Sequence, residues 1–214
     1  MACRKFRIFP ITNFGSDGYP TVGTPVLLVA PGTDSKEFNI KSVSFAATKN
    51  TAEIEADDAS EETTAVVKET VTVEAWGINP EALVALGLAK KDSSGNLMFA
   101  QSNSTHVCLF AKGSNQKGLA KNFWFYDCVA QPLDQKVVTQ LKGNATDPIT
   151  LTFINHPIST TGFGIVPHAE VFEGNAGFIK DDDEVTAASL YRGTVASWKT
   201  HWRSRSTKPG SSSL

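Results

Sequence analysis

Residues 51–88 read TAEIEADDASEETTAVVKETVTVEAWGINPEALVALGL, and the parity of this stretch decides the fold class. Ala52, Ile54 and Ala56 alternate with Glu53, Glu55 and Asp57, the period of two that marks a half-buried strand. A polar loop is expected over 58–64. Beyond it Val67, Val71, Val73 and Ala75 share a face, with Lys68, Thr70, Thr72 and Glu74 opposite. The period then changes. Asn79 is placed to cap a helix whose first residue, Pro80, needs no amide partner. Ile78 and Leu83 are spaced to close as a hydrophobic staple, Glu81 sits at the positive end of the helix dipole, and Gly87 is a natural stop. Ala82, Leu83 and Leu86 give this short helix one apolar side to lay against a sheet.

Toward the N terminus, Thr48, Lys49 and Asn50 read as a short turn, preceded by a strand over 38–45. In that strand Phe38 and Ile40 fall on one parity and Val43 and Phe45 on the other, so a bulge is expected between them. The three strands form a meander. Glycine, proline and aspartate mark a loop from 15 to 28, and 6–14, interrupted by Pro10, reads as an arm or edge strand. Toward the C terminus a surface loop at 90–96 is followed by strands at 106–112, 123–130 and 149–154. Phe123, Trp124, Phe125 and Tyr126 alternate between the faces of one strand, which is then covered on both sides; a stacking platform for nucleic-acid bases is the second reading. The expected fold is mainly β, a sandwich or barrel with one short α-helix and extended N- and C-terminal arms. Residues 1–155 make the β domain with its N-terminal arm, and 156–214 its continuation and a C-terminal arm.

Composition agrees with one globular domain: 214 residues, 41% hydrophobic and 20% charged. The net charge of -2 conceals an asymmetry. Between Glu53 and Glu81 nine residues are acidic (Glu53, Glu55, Asp57, Asp58, Glu61, Glu62, Glu69, Glu74, Glu81) against Lys68 alone, whereas 190–214 holds Arg192, Lys199, Arg203, Arg205 and Lys208 and no acid. No apolar run approaches the roughly 20 residues of a membrane helix, and 1–9 is too short in apolar residues for a signal peptide, so the chain is expected to stay where it is made. Three cysteines, Cys3, Cys108 and Cys128, cannot all pair and fit a reducing compartment. Cys108 and Cys128 either face each other on neighbouring strands or, the favoured reading, are two buried free thiols.

Catalytic constellations are missing from the sequence. There is no phosphate loop, GxSxG or HExxH, and His106, His156, His168 and His201 have no metal-ligand spacing. The acidic run 181–184 lacks the alternating ligands of a calcium loop and reads as a solvated turn. Asp57 and Asp58 point to opposite faces if they lie on a strand, which denies them a joint acid–base role. The expectation is a protein that is not an enzyme and carries no cofactor or metal.

The order of the pieces resembles the major tail proteins, or tail tube proteins, of long non-contractile-tailed bacteriophages. The resemblance runs over about 19–155. It is carried by YPTVGTPVL (19–27) before a strand, AEIEADDA (52–59), VTVEAW (71–76), the helix ALVALGL (82–88) ending in glycine, and paired strands around HVCLFAKG (106–113) and KNFWFYDCVA (121–130). It implies a phage tail tube fold whose subunits close into hexameric rings. Those rings stack into a tube through which DNA leaves the capsid, with kinship to the tubes of contractile tails and type VI secretion. It further implies assembly in the host cytoplasm, residence in the virion tail, contacts with a tape measure protein and other tail proteins, passage of double-stranded DNA without specific binding, and no membrane insertion. A carboxylate-lined wall suits that role, because each phosphate neutralised by Lys or Arg would add affinity for the wall. Glu53, Glu55 and Asp57 are the candidates for the lumen face. Lys49, Asn50, Asp58, Glu61, Glu62, Trp198, Trp202 and Arg203 are the candidates for contacts between subunits or rings. Competing readings are a β-sandwich adhesin or carbohydrate-binding module using Trp76 and Trp198, a capsid decoration protein, and a tail terminator.

Overall fold

The structure, a computed structural model, describes residues 3–28, 40–56, 59–99, 105–114, 120–133 and 149–194, with the backbone alone at 3–4, 49–56, 59–67 and 114. Among these residues the chain forms thirteen strands and one α-helix. In order they are β1 (Cys3–Phe14), β2 (Pro20–Val22), β3 (Val26–Leu27), β4 (Ile40–Ala56), β5 (Ala59–Ala75), α1 (Pro80–Ala85), β6 (Ala89–Lys91), β7 (Leu97–Phe99), β8 (His106–Ser114), β9 (Ala120–Ala130), β10 (Ile149–Asn155), β11 (Ile158–Thr160), β12 (Gly164–Val166) and β13 (His168–Phe172). The mainly β fold with one short helix is thus as expected.

The large sheet is antiparallel in the order β2-β1-β8-β9-β10-β5-β4, with β3 added to β1 and β13 to β9. Its geometry turns on β9. One edge of β9 pairs with β8, while the other is divided: Lys121–Phe125 pair with β13 and Cys128–Ala130 with β10. From that fork β10, β5 and β4 leave the plane of β1-β8-β9, and β4 comes round to touch β1. The sheet therefore rolls over itself, and the inside of the roll is the main core: Phe6, Ile8, Val43, Val71, Val73, Val107, Leu109, Phe125, Leu151 and Phe153 are all buried there.

The other face of β1-β8-β9 is apolar too. Phe9, Cys108, Phe110, Trp124 and Tyr126 form a second buried cluster, closed by Ile158, Val171, Ile179 and Val185 from the C-terminal segment. Trp124 lies 4.8 Å from the Phe110 ring and 5.7 Å from Phe9, and Tyr126 packs edge-on to Tyr19 at 5.2 Å. The Tyr126 hydroxyl donates to the Tyr191 carbonyl at 2.8 Å, and Lys112, buried to 1%, donates to the Ile179 carbonyl at 2.7 Å and pairs with Asp181 at 2.9 Å. Asp181 thus anchors the acidic turn to the sheet, although the turn itself is exposed as expected. The two thiols are free and buried on opposite faces. A bulge sets two β9 residues, Tyr126 and Asp127, against Cys108, which shifts the parity and turns Cys128 inward.

The helix plugs one end of the roll. Asn79 accepts from the Glu81 amide at 3.1 Å, Ala82 and Leu86 join the main core, and Glu81 pairs with Lys91 of β6. Its end is a Schellman motif: Gly87, at φ 71°, donates to the Val84 carbonyl and Leu88 donates to that of Leu83, each at 3.0 Å.

Several expectations are corrected. The segment 6–14 is not an arm but part of β1: 6–10 pair with β8, with β3 on the other side at Arg7 and Ile8, whereas 11–14 pair with β2 alone among the described strands; Pro10 falls in the gap between β3 and β2, where no ladder amide is required. Thr48–Asn50 is not a turn, and 59–64 is not a loop. The register runs from Ile40↔Ala75 to Ala56↔Ala59 through a bulge at Thr48/Lys49, so the expected meander of three strands is one hairpin of two. The bulge expected near Ile40 is present, between Ile40 and Ser42. Within 90–96 only the middle is a turn, for β6 and β7 pair through Lys91↔Leu97, and the Asp92 carboxylate accepts from the Ser94 and Asn96 amides.

Phe153→Ala removes a ring from the middle of the roll and is expected to lower the unfolding free energy by about 3–5 kcal/mol. Met98→Ala, at a position 61% exposed, should change it by less than about 0.5 kcal/mol. Urea unfolding followed by tryptophan fluorescence measures both.

Candidate functional site: a projecting hairpin and its buried root

β10 supports β5 only from Glu69 to Ala75. Beyond that point β4 and β5 pair only with each other among the described residues, from Thr48↔Lys68 to Ala56↔Ala59. At about 3.3 Å per residue this two-stranded ribbon reaches roughly 25 Å past the body. Isolated two-stranded hairpins are marginal in water. Along its whole length β4 has β5 as its one ladder partner among the described strands, and it stands at the end of the sheet order. A long strand with a row of unpaired amides and carbonyls is a template for another chain.

The ribbon gathers most of the residues singled out in the sequence. Lys49, Asn50, Glu53 and Glu55 lie in its β4 limb and Glu61 and Glu62 in its β5 limb, with Glu53 registered opposite Glu62, Ile54 opposite Glu61 and Glu55 opposite Ser60. The division into a lumen strand and a separate assembly loop therefore becomes two limbs of one hairpin. Asp57, Asp58, Trp198, Trp202 and Arg203 lie outside the described residues.

The root of the ribbon holds a network that sequence reading missed. Glu69 is the outermost β5 residue paired to β10, opposite Asn155, and is only 2% exposed. Its carboxylate accepts from Asn155 Nδ2 at 3.0 Å and lies 2.9 and 3.0 Å from His168 Nδ1. Asn155 Nδ2 also donates to the Pro167 carbonyl at 2.7 Å, and the Cys128 thiol donates to Asn155 Oδ1 at 3.3 Å. Across the ring, His168 Nε2 is 3.8 Å from Glu170, which is held at 2.6 Å by Lys121. Phe45 and Phe125 flank the imidazole at 5.4 and 5.6 Å between ring centres. One cluster thus ties β5, β9, β10 and β13 together at the fork.

Its chemistry is anchoring. The hydrogen bond to Glu69 raises the His168 pKa above the ordinary 6.5, overriding a burial that works the other way. Burial pushes the Cys128 thiol well above its usual range, and its contact is Asn155 and not the imidazole, so Cys128 is not poised as a nucleophile. Among the described residues no group of three or more His, Cys, Asp or Glu could hold a metal ion, and no helix is long and apolar enough to cross a membrane. A signal for the network was present in the sequence: Glu69 shares the parity of Val71 and Val73, and Asn155 that of Leu151 and Phe153. No protein-family model matches the chain, and a search among curated proteins finds no match either.

Asn155→Ala leaves the Glu69 carboxylate short of a donor and the Pro167 carbonyl without its amide. It is expected to cost about 3 kcal/mol in urea unfolding, against less than about 0.5 kcal/mol for the exposed Ser159→Ala.

Proposed function

We propose that the chain is a structural virion protein that closes into hexameric rings, and that the rings stack into a phage tail tube, the path for DNA ejected into the host. The observation that carries this reading is the projecting β4–β5 ribbon. Among the described residues it is a long hairpin with open edges that the body does not support, and assembly with further copies supplies the pairing. Ring closure removes sheet edges that are a liability in a monomer. The surplus of acidic residues between Glu53 and Glu81 supports it as well, since a wall rich in carboxylates lets a polyanion slide. Glu53, Glu55 and Asp57 are assigned to that wall. Lys49, Asn50, Asp58, Glu61, Glu62, Trp198, Trp202 and Arg203 are assigned to contacts between subunits and rings. The partners are further copies of the chain, a tape measure protein and other tail proteins, with double-stranded DNA in transit and unbound. The location is the virion tail after assembly in the host cytoplasm, and no catalytic step or cofactor is involved.

Electron microscopy of the concentrated protein is expected to show rings or tubes of uniform diameter. A variant with 49–66 replaced by an Asn-Gly turn should remain monomeric while its melting temperature stays within a few degrees of the parent. A parent chain that is monomeric at every concentration and salt tested, or a shortened chain that still builds tubes, overturns the proposal.

A further inference from the structure

The root of the ribbon is held by charge in a place where charge is costly. Glu69 marks the boundary between the part of β5 that β10 supports and the part it does not: Glu69 is registered with Asn155, whereas the next residue outward, Lys68, is registered with Thr48 alone. The Glu69 side chain is 3% exposed, so its ionised form depends on the partners within reach. Those partners are the neutral amide of Asn155 and the imidazole of His168. His168 is thus the contact able to offer a positive charge to Glu69, and the one that titrates near neutral pH.

We propose that the Glu69–His168 pair is a pH-responsive latch that sets how firmly the root of the β4–β5 ribbon is held against β10 and β13. With the imidazole protonated, Nδ1–H faces the Glu69 carboxylate and Nε2–H faces Glu170, and a compensated ion pair closes the fork. With the imidazole neutral, a buried carboxylate is left with neutral donors only. Its solvation then favours opening of the Glu69–Ala75 and β10 ladder at its outer end. The groups facing the imidazole are Glu69 from β5, Glu170 from β13 itself and Lys121 from β9, the last already engaged by Glu170. The Cys128 thiol faces Asn155 and stays neutral, and the flanking surfaces are the Phe45 and Phe125 rings, which offer no charge to Glu69.

The direction follows from linkage. Because the folded-state pKa of His168 lies above 6.5, the latch contributes fully below that value and is lost as the pH rises through the folded-state value. The latch belongs to the single chain and holds whether or not rings form, so its test is made on the monomer with its ribbon shortened at 49–66 as well as on the full chain.

Amide hydrogen exchange, corrected for intrinsic rates, is measured residue by residue between pH 5.5 and 9, above the ordinary carboxylate range of about 4. Protection of the β10 amides and of His168–Phe172 is expected to fall with rising pH, about tenfold for each unit by which the folded-state pKa of His168 exceeds 6.5. Amides of the β1–β8 ladder that exchange by local openings leaving the fork closed should not change. In His168→Asn the pH response should vanish, with protection held at the parent's high-pH level, and Glu69→Gln should also flatten it. Protection in the parent that is constant across this range overturns the latch, and so does a fall that survives in either variant. If a variant does not fold, the parent profile together with an NMR titration of the His168 ring decides: the fall must have the same midpoint as the ring.

Discussion

The interaction on which the architecture depends is the packing of β9 on both of its faces. Phe123 and Phe125 point into the roll, Trp124 and Tyr126 point out of it, and all four are buried. A strand of this kind cannot sit in a sheet with one wet face. Burying a large aromatic contributes about 1.5–3 kcal/mol relative to leaving it exposed, so both rings on the outer face demand a cover. The roll of β10-β5-β4 supplies one cover and 156–191 the other. The divided edge of β9 is the geometric consequence. To bring β13 across the outer cluster and β10 into the roll, two strands must share one edge, and the place where they part is where polar groups have to be buried.

The fork and the Lys112 clasp meet that demand in the same way. In each, one long polar side chain stands at a position whose parity is apolar and takes its partners from a segment distant in sequence. Glu69 reaches His168 across 99 residues, and Lys112 reaches Ile179 across 67. Removing the partners of either group leaves a buried charge without compensation, which costs more than the contacts themselves are worth. These groups therefore specify where the C-terminal cover docks, while the apolar surface supplies the driving force. An apolar cover alone could slide over an aromatic face; a buried ammonium that must meet one carbonyl and one carboxylate cannot.

How much of this was legible in the sequence follows the range of the interactions. The helix was readable because its caps, Asn79 and Gly87, act within a few residues. So were the two faces of 123–126 and the bulge near Ile40, since a parity change is a local event. β1 was misread because Pro10 forbids a ladder bond only if a partner is present at that position, and the gap between β2 and β3 is set by the tertiary structure. Thr48–Asn50 and 59–64 were misread because polar, weakly β-forming residues resemble turns; pairing over seventeen residues per strand overrides such preferences. Glu69 and Asn155 were visible as breaks in an apolar parity, and only the fold says that the two breaks face each other. The cover at 156–194 is made of strands of three to five residues with glycines between them, too short for any period to register.

The same composition that hid the ribbon explains how it persists. Carboxylates at opposed positions such as Glu53 and Glu62 weaken a hairpin that stands alone, since like charges directly across a ladder disfavour it. They also disfavour pairing of its open edge with the same edge of another copy, which would bring like charges into register, and leave other strands of a neighbouring copy as its partners. An apolar ribbon of this length would aggregate, and a shorter one would need no such protection. The acidic residues therefore restrict the edge to partners that bring a different charge pattern or a fixed geometry. The root decides the rest, for a ribbon of low intrinsic stability keeps its direction only as well as Glu69, Asn155 and His168 hold its base.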